Sequence, residues 1–159
     1  KAGFAIKADG DIVSVFNHAK SKYRGISPTM MLLAVQEGGR KLDAFDVVLP
    51  RFYSEAGFKV SSRLPWSDAE APAGWSKKAA NAFNKGEPDV VFMHYDPDVN
   101  TTEVLLFGPE KYDPTDKFRQ SQMAVDYGDA LNRQSKAMNI RTDAQKVQAK
   151  TDAQAIMAN

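Results

Sequence analysis

The sequence contains no cysteine. That absence removes disulfides, thiolate nucleophiles and cysteine-based metal sites together, and it fits a reducing compartment such as the cytoplasm. No apolar run approaches the ~20 residues of a membrane-spanning helix, and no signal-peptide pattern is present. Neither charge sign is in surplus: 21 Lys and Arg stand against 20 Asp and Glu, for a net charge of +1. So weak a bulk field argues against nucleic acid or a membrane surface as a partner. Small basic clusters such as Lys20, Lys22 and Arg24 can still matter locally. Histidine is scarce, with 2 copies. His18 and His94 lie far apart, and no His/Asp/Glu spacing resembles a ligand set, so no metal site is expected. A Gly-x-Ser-x-Gly elbow and a Walker loop are also missing.

What is present suits a folded domain with an appendage: 159 residues, 43% of them hydrophobic and 26% charged. The chain opens on Lys1-Ala2-Gly3-Phe4, already inside an apolar run, and is expected to be cut from a longer polypeptide. Gly3–Lys7 and Asp11–Phe16 are short and β-rich, and Ala8-Asp9-Gly10 between them is a hairpin signal. Residues 17–28 read as a polar loop. Ser27 can cap a helix with Pro28 at its first position, and Gly38-Gly39 stops that helix. Lys41–Phe45 reads as a strand, 46–56 as a helix that tolerates Pro50 in its first turn, and Phe58–Leu64 as a strand. Residues 65–88 carry Pro65, Pro72, Gly74, Gly86 and Pro88, with a short helix expected over Ser76–Phe83. Asp89–Tyr95 is a strand apolar enough for burial on both faces. Val104–Phe107 reads as a small strand or clip. From about Thr115 the chain is helical and polar, with Met123, Tyr127 and Leu131 at i, i+4, i+8. Its last stretch repeats Thr142-Asp143-Ala144-Gln145 as Thr151-Asp152-Ala153-Gln154, and it has so little to bury alone that it should pack on a partner or fray.

Three features in order resemble the GNAT superfamily of acyl-CoA N-acyltransferases. Lys22-Tyr23-Arg24-Gly25-Ile26-Ser27 is similar to the family's pyrophosphate loop: Arg or Gln, two residues, Gly, one residue, then Gly or Ala. Lys22 and Ser27 depart from that pattern and Gly25 retains it. Backbone N–H groups at a helix N-terminus suit such an anion, although an ordinary basic loop before a capped helix reads the same way. Tyr53-Ser54-Glu55-Ala56-Gly57-Phe58 resembles the family's Tyr, three residues, Gly-Phe signature. Asp46 stands where the family often has Asn, and a carboxylate there would not help bind phosphates. Phe58–Leu64, the 65–88 insertion and 88–95 resemble the family's closing strand pair. The match covers residues 3–95, and it is closest to GNAT-like domains of phage-encoded proteins. The family's N-terminal strand, two helices and further strand have no counterpart in this sequence.

The resemblance implies an α/β fold with a mixed, mainly antiparallel sheet and flanking helices, followed by a C-terminal helical extension. Residues 1–97 would be the acyl-CoA-binding core and 98–159 the extension. It implies acetyl-CoA as cofactor, held by Ser14, Val15 and Phe16 on a splayed strand edge and by Lys22, Arg24, Gly25, Ile26 and Ser27 in the loop. A V-shaped gap should open between Val13–Phe16 and Leu42–Phe45. Tyr53 would donate the proton to the departing thiol, as a phenol with an ordinary pKa of about 10 can. Candidate proton acceptors are Asp9 and Asp11, more in keeping with turn formation, and His18, Asp43 and His94. Trp66 and Trp75 place acceptor specificity in the insertion. The implied activity is N-acyl transfer to a protein or small-amine acceptor, in the host cytoplasm or a virion if phage-encoded. The other reading is a non-catalytic GNAT-shaped module, a virion or ejected protein assembling through residues 98–159.

Overall fold

The computed structural model describes residues 1–17, 27–96 and 115–158, and the expected strand at Val104–Phe107 falls outside them. The chain begins with a hairpin, β1 (Ala2–Ile6) and β2 (Ile12–Asn17), paired antiparallel with Gly3 opposite Phe16 and Ala5 opposite Ser14. Its turn closes because Asp9 accepts from the Asp11 backbone N–H at 3.1 Å. Gly10 takes φ +84°, a conformation that side-chain-bearing residues rarely adopt. The Gly10 carbonyl then accepts from Arg40 N–H at 2.8 Å, which docks the turn on the next strand.

Helix α1 (Ser27–Gln36) has Pro28 in its first turn and ends where Gly39 N–H reaches the Ala34 carbonyl at 2.7 Å. A Cβ on Gly39 would sit 2.8 Å from the Ile12 side chain and 2.9 Å from the Ala34 carbonyl. Only glycine lets helix end and strand approach so closely. Strand β3 (Lys41–Phe45) follows, then α2 (Leu49–Glu55), β4 (Phe58–Leu64) and, after the insertion, β5 (Val90–Tyr95). These three strands form an antiparallel sheet in the order β3-β5-β4, with Leu42 opposite Met93 and Val60 also opposite Met93. The molecule is therefore mixed α/β, with two small antiparallel sheets.

Two expected helices differ in the structure. Helix α2 starts at Leu49 rather than at 46, because Asp46 N–H donates to the Asp89 carbonyl at 2.8 Å and pulls 46–48 into a turn. Pro50 then falls in the first turn, where its missing N–H costs nothing. Residues 76–83 form successive turns, not a helix. The segment is drawn into a loop from both ends: Trp75 donates to the Gly86 carbonyl at 2.9 Å, and Lys77 pairs with Glu87 at 2.7 Å.

The two faces of the three-stranded sheet are covered differently. Alternation on β3, β4 and β5 sends Leu42, Phe58, Val60, Val91 and Met93 to one face, where Met31 and Ala34 of α1, Tyr53 of α2 and Ala56 just after it complete an apolar core. The other face carries Phe92, covered by Ala124 and Ala130. Here α3 (Lys117–Gln122) and the first turns of α4 (Tyr127–Ala158) dock through polar groups. Gln134 donates to the Leu42 carbonyl at 3.1 Å and to the Met93 carbonyl at 2.8 Å, and the Ser62 hydroxyl donates to the Ala130 carbonyl at 2.9 Å. Beside them Arg63, fully buried, lies 2.6 Å from Asp46 and 3.6 Å from Asp89, while Arg119 of α3 reaches Asp89 at 2.6 Å. Two cations and two anions thus neutralise one another inside the fold, the condition under which buried charge is tolerated.

The inward row of α4 is Ala130 and Gln134, one turn apart. Tyr127 and Leu131, the apolar spacing visible in sequence, are 58% and 36% exposed instead. Residues assigned to the extension therefore share a core with the strands before them. Among the described residues no helix is long and apolar enough to cross a membrane.

Candidate functional site: a cleft between two parting strands

Strands β2 and β3 run parallel from the Asp11–Lys41 bridge, which lies just before β2 and is their one backbone pairing among the described residues. The contact is reinforced by Lys41 Nζ, 3.1 Å from Asp9. Its hydrogen bond holds the Asp9 carboxyl below its ordinary pKa. Beyond this point the strands part, and a cleft of about 280 Å³ opens between them. Ser14 and Val15 form one wall, Asp43 and Ala44 the other, and Tyr53 and Trp75 line it as well.

The walls have a common property. Strand β2 spends one edge on β1, and β3 spends one edge on β5. Past the Asp11–Lys41 bridge, their facing edges pair with no strand among the described residues. Backbone donors and acceptors on both sides are consequently available to an extended ligand, as an edge strand's are.

Tyr53 reaches the cleft because α2 packs this turn against the sheet, leaving the residue 5% exposed. The hydroxyl is protonated at neutral pH, and burial raises its pKa further above the ordinary value of 10.0. Asp43 keeps a solvent-exposed flank. Loss of hydration on its protein side, and then the Asp11 carboxylate, push its pKa upward. Phe45, Trp66 and Trp75 stack at the far end, with ring centroids 5.0 to 5.5 Å apart. Thus the insertion closes the cleft with aromatic surface.

Of the residues singled out in sequence, the structure brings Ser14, Val15 and Tyr53 together. Phe16 does not line the cleft: it is 54% exposed, and its ring lies over Gly3. Lys22, Arg24, Gly25 and Ile26 lie outside the described residues, as does His18, and Ser27 opens α1. Asp46 is turned away from the cleft towards Arg63. His94 is buried on β5, its Nδ1 2.6 Å from the Ser61 hydroxyl. Asp9 and Asp11 serve the turn and the strand bridge. Asp43, Ala44 and Trp75, within the expected gap and the insertion singled out in sequence, also line the cleft, whereas Val47 and Leu49 line it without having been singled out, since their positions depend on the turn into α2. Among the described residues no group of His, Asp and Glu is arranged to hold a metal ion. Comparison with protein-family models, with curated proteins and with solved structures finds no match to this chain.

Proposed function

We propose that this chain carries the C-terminal half of a GNAT-like, acyl-CoA-dependent N-acyltransferase core, with the β2–β3 cleft receiving the pantetheine arm of acetyl-CoA. The observation that carries the reading is the pair of parallel strands that touch at Asp11–Lys41 and part beyond it. Pantetheine is an extended chain bearing two amides, and both walls offer it unpaired strand edges. The apolar lining from Val15 and Ala44 suits its methylene segments. When bound, acetyl-CoA supplies the acyl group as an activated thioester.

The residues of the chain then have separate tasks. Backbone N–H groups on the free edge around Ser14 and Val15 are the donors available to an acyl carbonyl. Tyr53, a phenol that is protonated at neutral pH and held so the more firmly by burial, can give its proton to a departing sulfur. Asp43, on the opposite wall, can take a proton from an incoming ammonium, and its raised pKa brings it closer to that task.

The experiment is acyl transfer from acetyl-CoA to a panel of amines, with Tyr53→Phe as comparison. Turnover that falls at least about tenfold in Tyr53→Phe while acetyl-CoA binding persists is the expected result, within the range for a general acid. Equal turnover in both proteins removes Tyr53 from the mechanism, and no turnover with any amine counts against catalysis. A second reading, a non-catalytic module assembling through its C-terminal helix, draws on the end of α4, where Ile156 and Met157 are 76% and 85% exposed. Truncation after Asn139 keeps Gln134 in place and tests it: an unchanged oligomeric state removes that reading.

A further inference from the structure

A second, larger cavity lies on the α4 side of the sheet. It is a groove of about 790 Å³ that shares Asp43, Ala44 and Phe45 with the cleft. Its floor is a strip of the sheet. Phe45, Val90 and Leu64 stand opposite one another on β3, β5 and β4, so their side chains share one face. Ala124 and Ala130 bury Phe92 in the next row, but the strip itself stays half-buried, with Trp66 stacked on Phe45 at one end. Val125 and Tyr127 add an apolar wall and are 85% and 58% exposed. The charged lining lies at the rim, where Asp43, Glu70 and Asp126 are all exposed. Lys77, whose ammonium lies 5.9 Å over the Trp66 ring, is engaged by Asp68 at 2.6 Å and by Glu87 at 2.7 Å.

We infer that this groove binds an uncharged hydrocarbon chain of medium length, which arrives as the acyl tail of a thioester held in the cleft. Such a chain removes the apolar floor and wall from water. The floor asks for no polar partner in return, since the Trp66 indole N–H is already given to Asp68 at 2.9 Å. Three neighbouring strands set the length of the strip at about 10 Å, which suits a medium chain. Carboxylates at the rim repel an anionic head group such as that of a free fatty acid, so the chain must enter with its polar end neutral. A thioester meets that condition, and Ala44 and Phe45, common to both cavities, lead from the cleft to the strip. The cleft is the smaller space, at about 280 Å³, and the groove supplies the room that a tail beyond the thioester needs. An acetyl group is too short to enter it. The thioester source rests on the acyl-transfer reading. The binding of a chain does not.

The test titrates the isotope-labelled protein with acetyl-CoA, octanoyl-CoA, octanol and octanoate, followed by NMR. Octanoyl-CoA and octanol should shift the Trp66 indole N–H and the Val90 methyl signals, and acetyl-CoA should not. Octanoyl-CoA should bind at least about tenfold more tightly than acetyl-CoA, as burial of the added methylenes requires. Octanoate should bind more weakly than octanol. Val125→Asp, a change on an exposed side chain, should weaken octanoyl-CoA and octanol at least about threefold and leave acetyl-CoA unchanged. Leu64→Ala should act in the same direction, with Leu64→Met restoring part of the affinity. Equal affinity for the two CoA esters, octanoate binding as tightly as octanol, or unchanged octanol affinity in Val125→Asp overturns the inference. The same titrations separate the two proposals. Octanol binding at Trp66 without response to either CoA ester sinks acyl transfer, and the thioester source with it, and assigns the chain to a free neutral lipid. Binding of both esters with the Trp66 and Val90 signals unmoved sinks the groove alone.

Discussion

The two faces of the β3-β5-β4 sheet solve the same packing problem with different chemistry. Against α1 and α2 the strands present Leu42, Phe58, Val60, Val91 and Met93, a contiguous apolar layer stabilised by area removed from water. Against α3 and α4 they present little more than Phe92, and the helices are held by Gln134, Ser62 and the Arg63–Asp46–Asp89–Arg119 network. Apolar packing is tolerant, since a core of about the right volume still folds. A buried charge network fails when any one partner is lost, because the remaining charges stay desolvated. The candidate ligand surfaces follow this division. The cleft, with Tyr53 on α2, belongs to the apolar face, and the larger groove lined by Asp126 and Tyr127 belongs to the polar one.

Substitutions can break or sharpen the contrast. Arg63→Met should cost the most, about 3–5 kcal/mol in urea denaturation, since Asp46 and Asp89 lose the cation between them. A loss below about 1 kcal/mol would mean that the network does not hold the polar face together. Met31→Ala on the apolar face should cost about 2–5 kcal/mol, the price of a cavity in a packed layer. Gln134→Ala leaves the Leu42 and Met93 carbonyls without their side-chain donor and should cost about 1–3 kcal/mol. Its mark should be local: faster hydrogen exchange in the first turns of α4, with α1 unchanged. Exchange that quickens equally in both helices would argue that the faces open together.

The smallest effect is one of pH. Burial raises the Tyr53 pKa, so its contribution is fully present below the ordinary value of 10.0 and is lost as pH rises through the raised one. Denaturation between about pH 9 and 11 should therefore show a steeper decline for the native chain than for Tyr53→Phe. Parallel declines would place the phenol in a more hydrated setting than the α2 packing provides.

Much of the apolar face is legible in the sequence. The Asp9-Gly10 hairpin, Ser27-Pro28 at the start of α1, the run Val90-Val91-Phe92-Met93 and the Tyr53–Phe58 turn all lie where local rules place them, because each depends on neighbours in the chain. The polar face escapes such rules. Asp46 looks like a helix starter, but it is claimed by Arg63, 17 residues away. Gln134 looks like a surface residue, but it bonds to Leu42 across 92 positions. Tyr127 and Leu131 have a buried stripe's spacing and lie outside it, because the helix docks through the small Ala130 and a polar amide. The cleft is half legible for the same reason. Ser14, Val15 and Tyr53 follow from strand and helix position, whereas Trp75 depends on an insertion whose turns are set by contacts with Gly86 and Glu87.

Peptide-resolved hydrogen exchange of the wild-type chain with and without millimolar acetyl-CoA goes straight to the β2–β3 cleft. Slower exchange in peptides covering 12–16 and 42–45, with the far end of α4 unaffected, is the outcome expected if pantetheine bridges the two free strand edges. Unchanged exchange in both segments, or protection confined to other parts of the chain, would contradict the assignment of the cleft to acyl-CoA.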